Sequence, residues 1–131
     1  MAYIENSDNP IVDLTYNFGV RIVKFYKHLT TKQVYVLSKQ LLRCGTSIGA
    51  NVHESIHAQS RADFISKMNI ALKEADETDY WLRLLRDSDV IEENEFVSLQ
   101  KDVKQIIGTL VKIIKSSKAE FLHYYIVKFL N

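Results

Sequence analysis

The stretch that decides the fold is residues 60–86, Ser60-Arg-Ala-Asp-Phe-Ile-Ser-Lys-Met-Asn-Ile-Ala-Leu-Lys-Glu-Ala-Asp-Glu-Thr-Asp-Tyr-Trp-Leu-Arg-Leu-Leu-Arg86. Phe64, Met68, Ala71, Ala75, Thr78, Leu82 and Leu85 recur along it in steps of four and three. That spacing puts them on one face of a long helix. Ser60 is an N-cap residue, with Asp63 three places on in a position like that of a capping box. Arg83 and Arg86 fall in the last turn, where cations complement the helix dipole, and Asp87-Ser88-Asp89 reads as the turn that follows.

The same period extends in both directions. Asn9-Pro10 opens an earlier helix, since Asn caps free backbone amides and Pro tolerates the first helical position. Ile11, Leu14, Phe18, Ile22, Phe25 and Leu29 form its core face, and Val12, Tyr16, Gly19, Val23 and Tyr26 form a second apolar stripe beside it. An apolar face this wide exceeds what one bundle core needs. Thr30-Thr31 break the helix, and Val34, Leu37, Leu41, Gly45, Ile48 and Val52 mark the next, which fades near Ala58. After residue 90, Glu92 and Glu93 start a helix carrying Phe96, Leu99, Val103, Ile106, Leu110 and Ile113, which Ser116-Ser117 weaken. The tail, 118–131, holds Phe121, Tyr124, Tyr125 and Phe129, and either extends this helix or leaves it as a strand-like arm. Its apolar residues are expected to pack on this subunit or a neighbouring one.

Composition bounds the function. The 131 residues fit one domain, and a chain of that length can bury a core without staples. Four Gly and one Pro leave few turns, which favours long helices over a β fold. The net charge of +1 gives no global pull toward nucleic acid or membrane, so any such attraction must be local. The single cysteine, Cys44, excludes an internal disulfide framework; it fits a reducing compartment and the role of a small buried hydrophobe. No apolar run is long enough to span a bilayer, and the N-terminus lacks the pattern of a signal peptide. The expected location is the cytoplasm.

His53-Glu54-Ser55-Ile56-His57 spells H-E-x-x-H, the pattern of a helical zinc site with a glutamate as base. The more economical reading is incidental: with Val52 facing the core, Glu54 points away from it and both histidines lie on the flank. Glu54-x-x-His57 and Glu120-x-x-His123 also spell half of a di-iron bundle site, but the first helix offers Asp13 and no glutamate. No metal or cofactor is expected, and no nucleophilic triad or phosphate-binding loop is present. Gly45 and Gly49 ask for a close helix approach, within the chain or between subunits. Glu74, Asp76, Glu77 and Asp79 read as a solvated face with pairs such as Asp79–Arg83. Lys101, Lys104, Lys112 and Lys115 share a face around Gly108, with Arg21, Lys24 and Lys27 as additions from the first helix; such a stripe can follow phosphates.

Leu41-Leu-Arg-Cys-Gly-Thr-Ser-Ile-Gly-Ala-Asn-Val-His-Glu54, Ser60-Arg-Ala-Asp-Phe64 and Ile70 to Leu85 together resemble the proteins encoded by intervening sequences of bacterial 23S ribosomal RNA genes. The likeness runs from about Val12 to Leu110 and includes Ser47, Ile48, Ala50, Asn51 and Glu54, but neither His53 nor His57 as a required residue. It implies an antiparallel four-helix bundle in a ring-like homopentamer. In related accessory proteins of diversity-generating retroelements it also implies a basic surface that binds nucleic acid and a reverse transcriptase.

The resulting expectation is an all-α, up-down-up-down bundle over a single domain, 1–131, with helices near 10–29, 32–58, 61–86 and 92–116. The chain is expected to be no enzyme but a homo-oligomeric scaffold, pentameric by the resemblance, binding RNA or a nucleic-acid-handling protein. Val12, Tyr16, Val23, Tyr26, Gly45 and Gly49 are its candidate subunit contacts. The alternatives are a structural interaction module without nucleic acid and, more remotely, a metal enzyme built on His53, Glu54 and His57.

Overall fold

In the computed structural model, which describes residues 9–129, four helices follow one another: α1 (Pro10–Thr31), α2 (Val36–Ser55), α3 (Arg61–Asp87) and α4 (Glu93–Phe129). Residues 1–8 and the last two residues of the tail, Leu130 and Asn131, lie outside the described residues, as does the Phe129 side chain. Among the described residues there is no strand.

Local chemistry sets the helix ends. Pro10 occupies the first turn of α1, and Asn9 is its cap residue with extended backbone, but no Asn9 side-chain bond supplies the cap. At the other end the Gln33 amide reaches the Thr30 carbonyl at 3.0 Å and the Val34 amide reaches Leu29 at 3.0 Å, with Gln33 at φ 64°. This is a Schellman turn. The same device ends α3, where Asp89 at φ 59° bonds Arg86 and Val90 bonds Leu85 at 2.9 Å. Ser60 caps α3 as expected, its Oγ accepting from the Asp63 amide at 3.0 Å. The Asp63 carboxylate accepts in turn from Gln59 at 3.1 Å. At the start of α4 the Glu95 carboxylate accepts from the Glu92 amide at 2.8 Å.

Two expected boundaries change. The Schellman turn holds residues 32–35 outside α2, so that helix spans Val36–Ser55 rather than 32–58. Ser116-Ser117 do not interrupt α4, which continues as helix to Phe129 rather than leaving as a strand-like arm. Ser117 is buried, in register with Leu110 and Ile114, so its small side chain faces the interior. Ile114, not Ile113, carries the fully buried position.

Pairs between helices fix the direction of each one. Glu54 of α2 meets Lys67 of α3 while Arg43 meets Glu77, so the two run antiparallel. Arg61 pairs with Glu120 and Gln100 with Asp79, so α3 and α4 do likewise. His28 faces Glu95 and Arg21 faces Asp102, which sets α4 antiparallel to α1. Sequential neighbours pack together, α4 closes against α1 along the sparsest seam, and the backbones of the diagonal pairs stay more than 8 Å apart between Cα atoms among the described residues.

The core is unevenly supplied. α1 and α4 contribute Phe18, Ile22, Leu29, Phe96, Ile106 and Leu110, whereas the middle of α3, between Met68 and Leu82, contributes only the small Ala71, Ala75 and Thr78, all essentially inaccessible. Large side chains therefore seat against small ones. Each fully buried Leu, Ile or Phe stabilises by roughly 1.5–3 kcal/mol, against about 1 kcal/mol or less for an exposed ion pair. Apolar packing therefore holds the bundle, and the ion pairs select its register. The buried hydroxyls stay within their own helices: Thr15 donates to the Ile11 carbonyl at 2.8 Å and Thr78 to Glu74 at 2.8 Å.

The glycines of this frame differ. A Cβ at Gly45 would stand 2.9 Å from Ile22 Cγ1 and Cγ2, whereas at Gly19 it would meet nothing within 4 Å. Gly45→Ala is expected to destabilise the fold by about 1–3 kcal/mol through overpacking. Gly19→Ala is expected to stabilise it by about 1 kcal/mol through helix propensity. Urea denaturation midpoints moving in the same direction for both variants would contradict this assignment. Gln33→Gly relieves a left-handed non-glycine residue and is expected to add about 0.5–1 kcal/mol by the same assay.

Candidate binding surfaces

Packing α2 closely on α1 leaves a long apolar groove of about 770 Å³ along their outer side. Val12, Tyr16, Gly19, Val20 and Val23 form its α1 wall; Thr46, Gly49, Ala50 and His53 form its α2 wall. Tyr16 is 49% exposed and Val23 37%. Lys24 and Lys27 stand on the rim, and neither has an ion-pair partner among the described residues. The second apolar stripe of α1 therefore borders this groove, where the structure gathers Val12, Tyr16, Val23 and Gly49 of the candidate contact residues. Tyr26 is half-buried nearer the core. Gly45 leaves the set: it is buried against Ile22 of its own chain, an intrachain crossing rather than a surface position. Val20, Thr46 and Ala50 were missed, because each lies just outside the apolar repeat that marks a core face.

Lys101, Lys104, Lys112 and Lys115 are all exposed on α4, on the side opposite its buried stripe. None pairs with a carboxylate among the described residues. Arg21 does not add a free cation to them. Its guanidinium is bound to the Asp102 carboxylate and donates to Ser98 Oγ at 2.8 Å, closing the α1–α4 seam. Lys24 and Lys27 belong to the α1–α2 groove, so the seven cations are distributed over three places.

The H-E-x-x-H spelling fails on geometry. α2 ends at Ser55, which leaves His57 in the turn beyond it, and the two imidazoles meet edge-on with centroids 6.4 Å apart. Glu54 is drawn to Lys67 on α3, at 3.2 Å. The Glu120 carboxylate is likewise held outside the bundle by Arg61. Among the described residues, no three His, Cys, Asp or Glu side chains converge as a ligand set.

The acidic run on α3 is committed to its neighbours. Glu74 and Glu77 share Arg43 of α2, with Glu74 at 3.3 Å, and Trp81 Nε1 also donates to Glu77 at 3.4 Å. The Arg43 bond holds the Glu77 carboxyl below its ordinary range, despite some opposing desolvation. Asp79 pairs with Arg83 at 3.2 Å, as the spacing predicts. Beneath this network Cys44 is buried, and desolvation pushes its thiol up to about 11, a rise partly countered by a hydrogen bond with Thr78.

These features define an all-α four-helix bundle whose distinctive outer surfaces are one apolar groove, one lysine face and an exposed helical end. The 23S rRNA-intervening sequence protein family matches residues 7–112, and the chain belongs to that family. A solved structure from Bacteroides thetaiotaomicron, described as a protein with unknown function from the S23 ribosomal protein family, is 51% identical. It superposes with a TM-score of 0.79, over 80% of this chain and 98% of its own. No curated protein matches the chain. The family match ends inside α4, one turn or more before the exposed end of that helix.

Two measurements check the polar side of this description. A thiol of raised pKa is mostly neutral at pH 8, so Cys44 should react with Ellman's reagent only after denaturant is added; prompt labelling of the native protein would refute its burial. A lowered folded pKa at Glu77 means its contribution is complete above the usual carboxyl value of 4.5 and is lost as pH falls below that through the folded value. Arg43→Ala should remove this acid-side dependence, a change of about 0.5 kcal/mol or less as for exposed pairs. Denaturation curves at pH 7 and pH 3 that differ equally in both proteins would count against it.

Proposed function

We propose that the chain is a non-catalytic subunit of a homo-oligomeric scaffold, a ring of five, whose α4 lysine face contacts the phosphates of RNA. The observation that carries this reading is the division of its uncommitted surface. The apolar groove lies on α1 and α2, while four lysines without carboxylate partners lie on α4. An apolar surface of this kind serves association. A row of unpaired cations at helical spacing attracts a polyanion locally even though the net charge is only +1. The ring size rests on the family resemblance, and membership of the family supports it. Among the described residues no helix is long and apolar enough to cross a membrane, so neither surface is needed to face lipid as a spanning segment.

Native mass spectrometry of the full chain, purified without nuclease, is expected to give five-fold mass. A monomer at micromolar concentration would overturn the scaffold. Binding of labelled single-stranded RNA is expected to weaken with salt, and Lys104→Glu with Lys112→Glu should flatten the log–log salt slope by about 1.4. An unchanged slope removes RNA from the α4 face and leaves a protein-interaction module.

A further inference from the structure

The buried stripe of α4 does not stop where the bundle does. Leu110, Ile114 and Ser117 face the interior, and the same three-and-four spacing continues to Phe121, Tyr124 and Tyr125. α3 begins at Arg61, which pairs with Glu120, so beyond that level none of the other three helices runs beside the stripe among the described residues. The last nine residues of α4 project by about 13 Å at the rise of an α-helix. Phe121 is 44% exposed, Leu122 58%, Tyr124 58% and Ile126 41%. A helical segment that is apolar on nearly every side belongs in an interior.

The same chain offers a surface of the matching kind. From Val12 to Val23 the groove extends for about 16 Å, enough for those turns. Its floor is low, because Gly19 has open space where a side chain would stand and the α2 wall carries only the small Thr46, Gly49 and Ala50 before His53. Tyr16 and Val23 flank this notch. Small residues between larger walls accept the side chains of a crossing helix. The chain's own α4 cannot supply that helix. It packs on α3 and α1, not on α2, and stays helical to Phe129 with no turn that would fold it back.

We propose that the projecting end of α4, residues 121–129, docks in the α1–α2 groove of a second copy of this chain, with Phe121 and Tyr124 over Gly19 and Ala50. The inference rests on the homo-oligomer proposed above and names the segment and the surface that join its subunits. Such a contact is head-to-tail: each copy gives its helix end to one neighbour and receives that of another. Repetition therefore closes a ring or grows a filament rather than forming a two-fold dimer.

Full-length Ala50→Cys chains and full-length Tyr124→Cys chains, mixed and reassembled, should be joined by a short bis-maleimide, while the buried Cys44 is spared. A Lys101→Cys and Tyr124→Cys mixture should not be joined. Gly19→Trp fills the notch from a position where a Cβ meets nothing within 4 Å. It should keep the helical circular dichroism yet raise trypsin cleavage at Lys118 by about tenfold, since cleavage follows the population of the open form. An oligomer with no Ala50→Cys to Tyr124→Cys link and unchanged cleavage overturns the docking and leaves the scaffold standing. A monomeric native mass removes both. Binding of the unlinked full chain to phosphatidylglycerol vesicles, lost on Phe121→Asp with Tyr124→Asp, would assign the helix end to a lipid surface and overturn the docking.

Discussion

The close crossing of α2 over α1 sets the geometry on which the rest depends. With no side chain at Gly45, Ile22 fills the space that a Cβ would take, and at Gly49 the Thr15 carbonyl lies 3.1 Å from that position. Glycine inside a helix costs about 1 kcal/mol relative to alanine, so two of them on adjacent turns require a return in packing. The return is the burial of Ile11, Phe18 and Ile22 in the one apolar core of the bundle. The same approach draws the outer edges of α1 and α2 together, so that Gly49 and Ala50 become part of a groove rather than a flat face.

Polar groups have a different task in this bundle. Arg43 with Glu74 and Glu77, Lys67 with Glu54, Arg61 with Glu120 and Arg21 with Asp102 are exposed or half-exposed pairs, individually weak. Together they occur on three seams and all agree with one antiparallel register. A helix shifted by a turn would separate these charges while still burying leucines and isoleucines. Arg86 adds a contact of another kind, its guanidinium 4.0 Å from the Phe96 ring, which closes the turn between α3 and α4.

Once those pairs are made, the charge left over is unevenly placed. Acidic residues on α3 are held by Arg43, Arg83 and Gln100, while the α4 lysines have no such partners among the described residues. A near-neutral chain thereby presents a locally cationic face. Because that face and the apolar groove lie on different helices, assembly through one leaves the other accessible, which is the arrangement a scaffold requires.

The helices, their order and most of the core were legible in the sequence, because the three-and-four repeat of apolar side chains reports burial on one helix face directly. Ser60 with Asp63, Pro10 and the pair Asp79–Arg83 were legible for the same reason: their partners lie within four residues. Features that need a distant partner were not. Arg21 resembles a free cation until Asp102, 81 residues away, is set beside it. The tertiary structure decided whether Gly45 meets its own chain or another, because glycine records that something approaches and not what. It also decided both ends of α2, since neither the left-handed Gln33 before it nor the turn at Ile56 after it carries a glycine to announce it, and that second turn separates His57 from the helix of His53. The sequence by itself determined how much of each helix must be buried; only the packing of four helices decided which apolar surface the chain covers for itself and which it leaves for another.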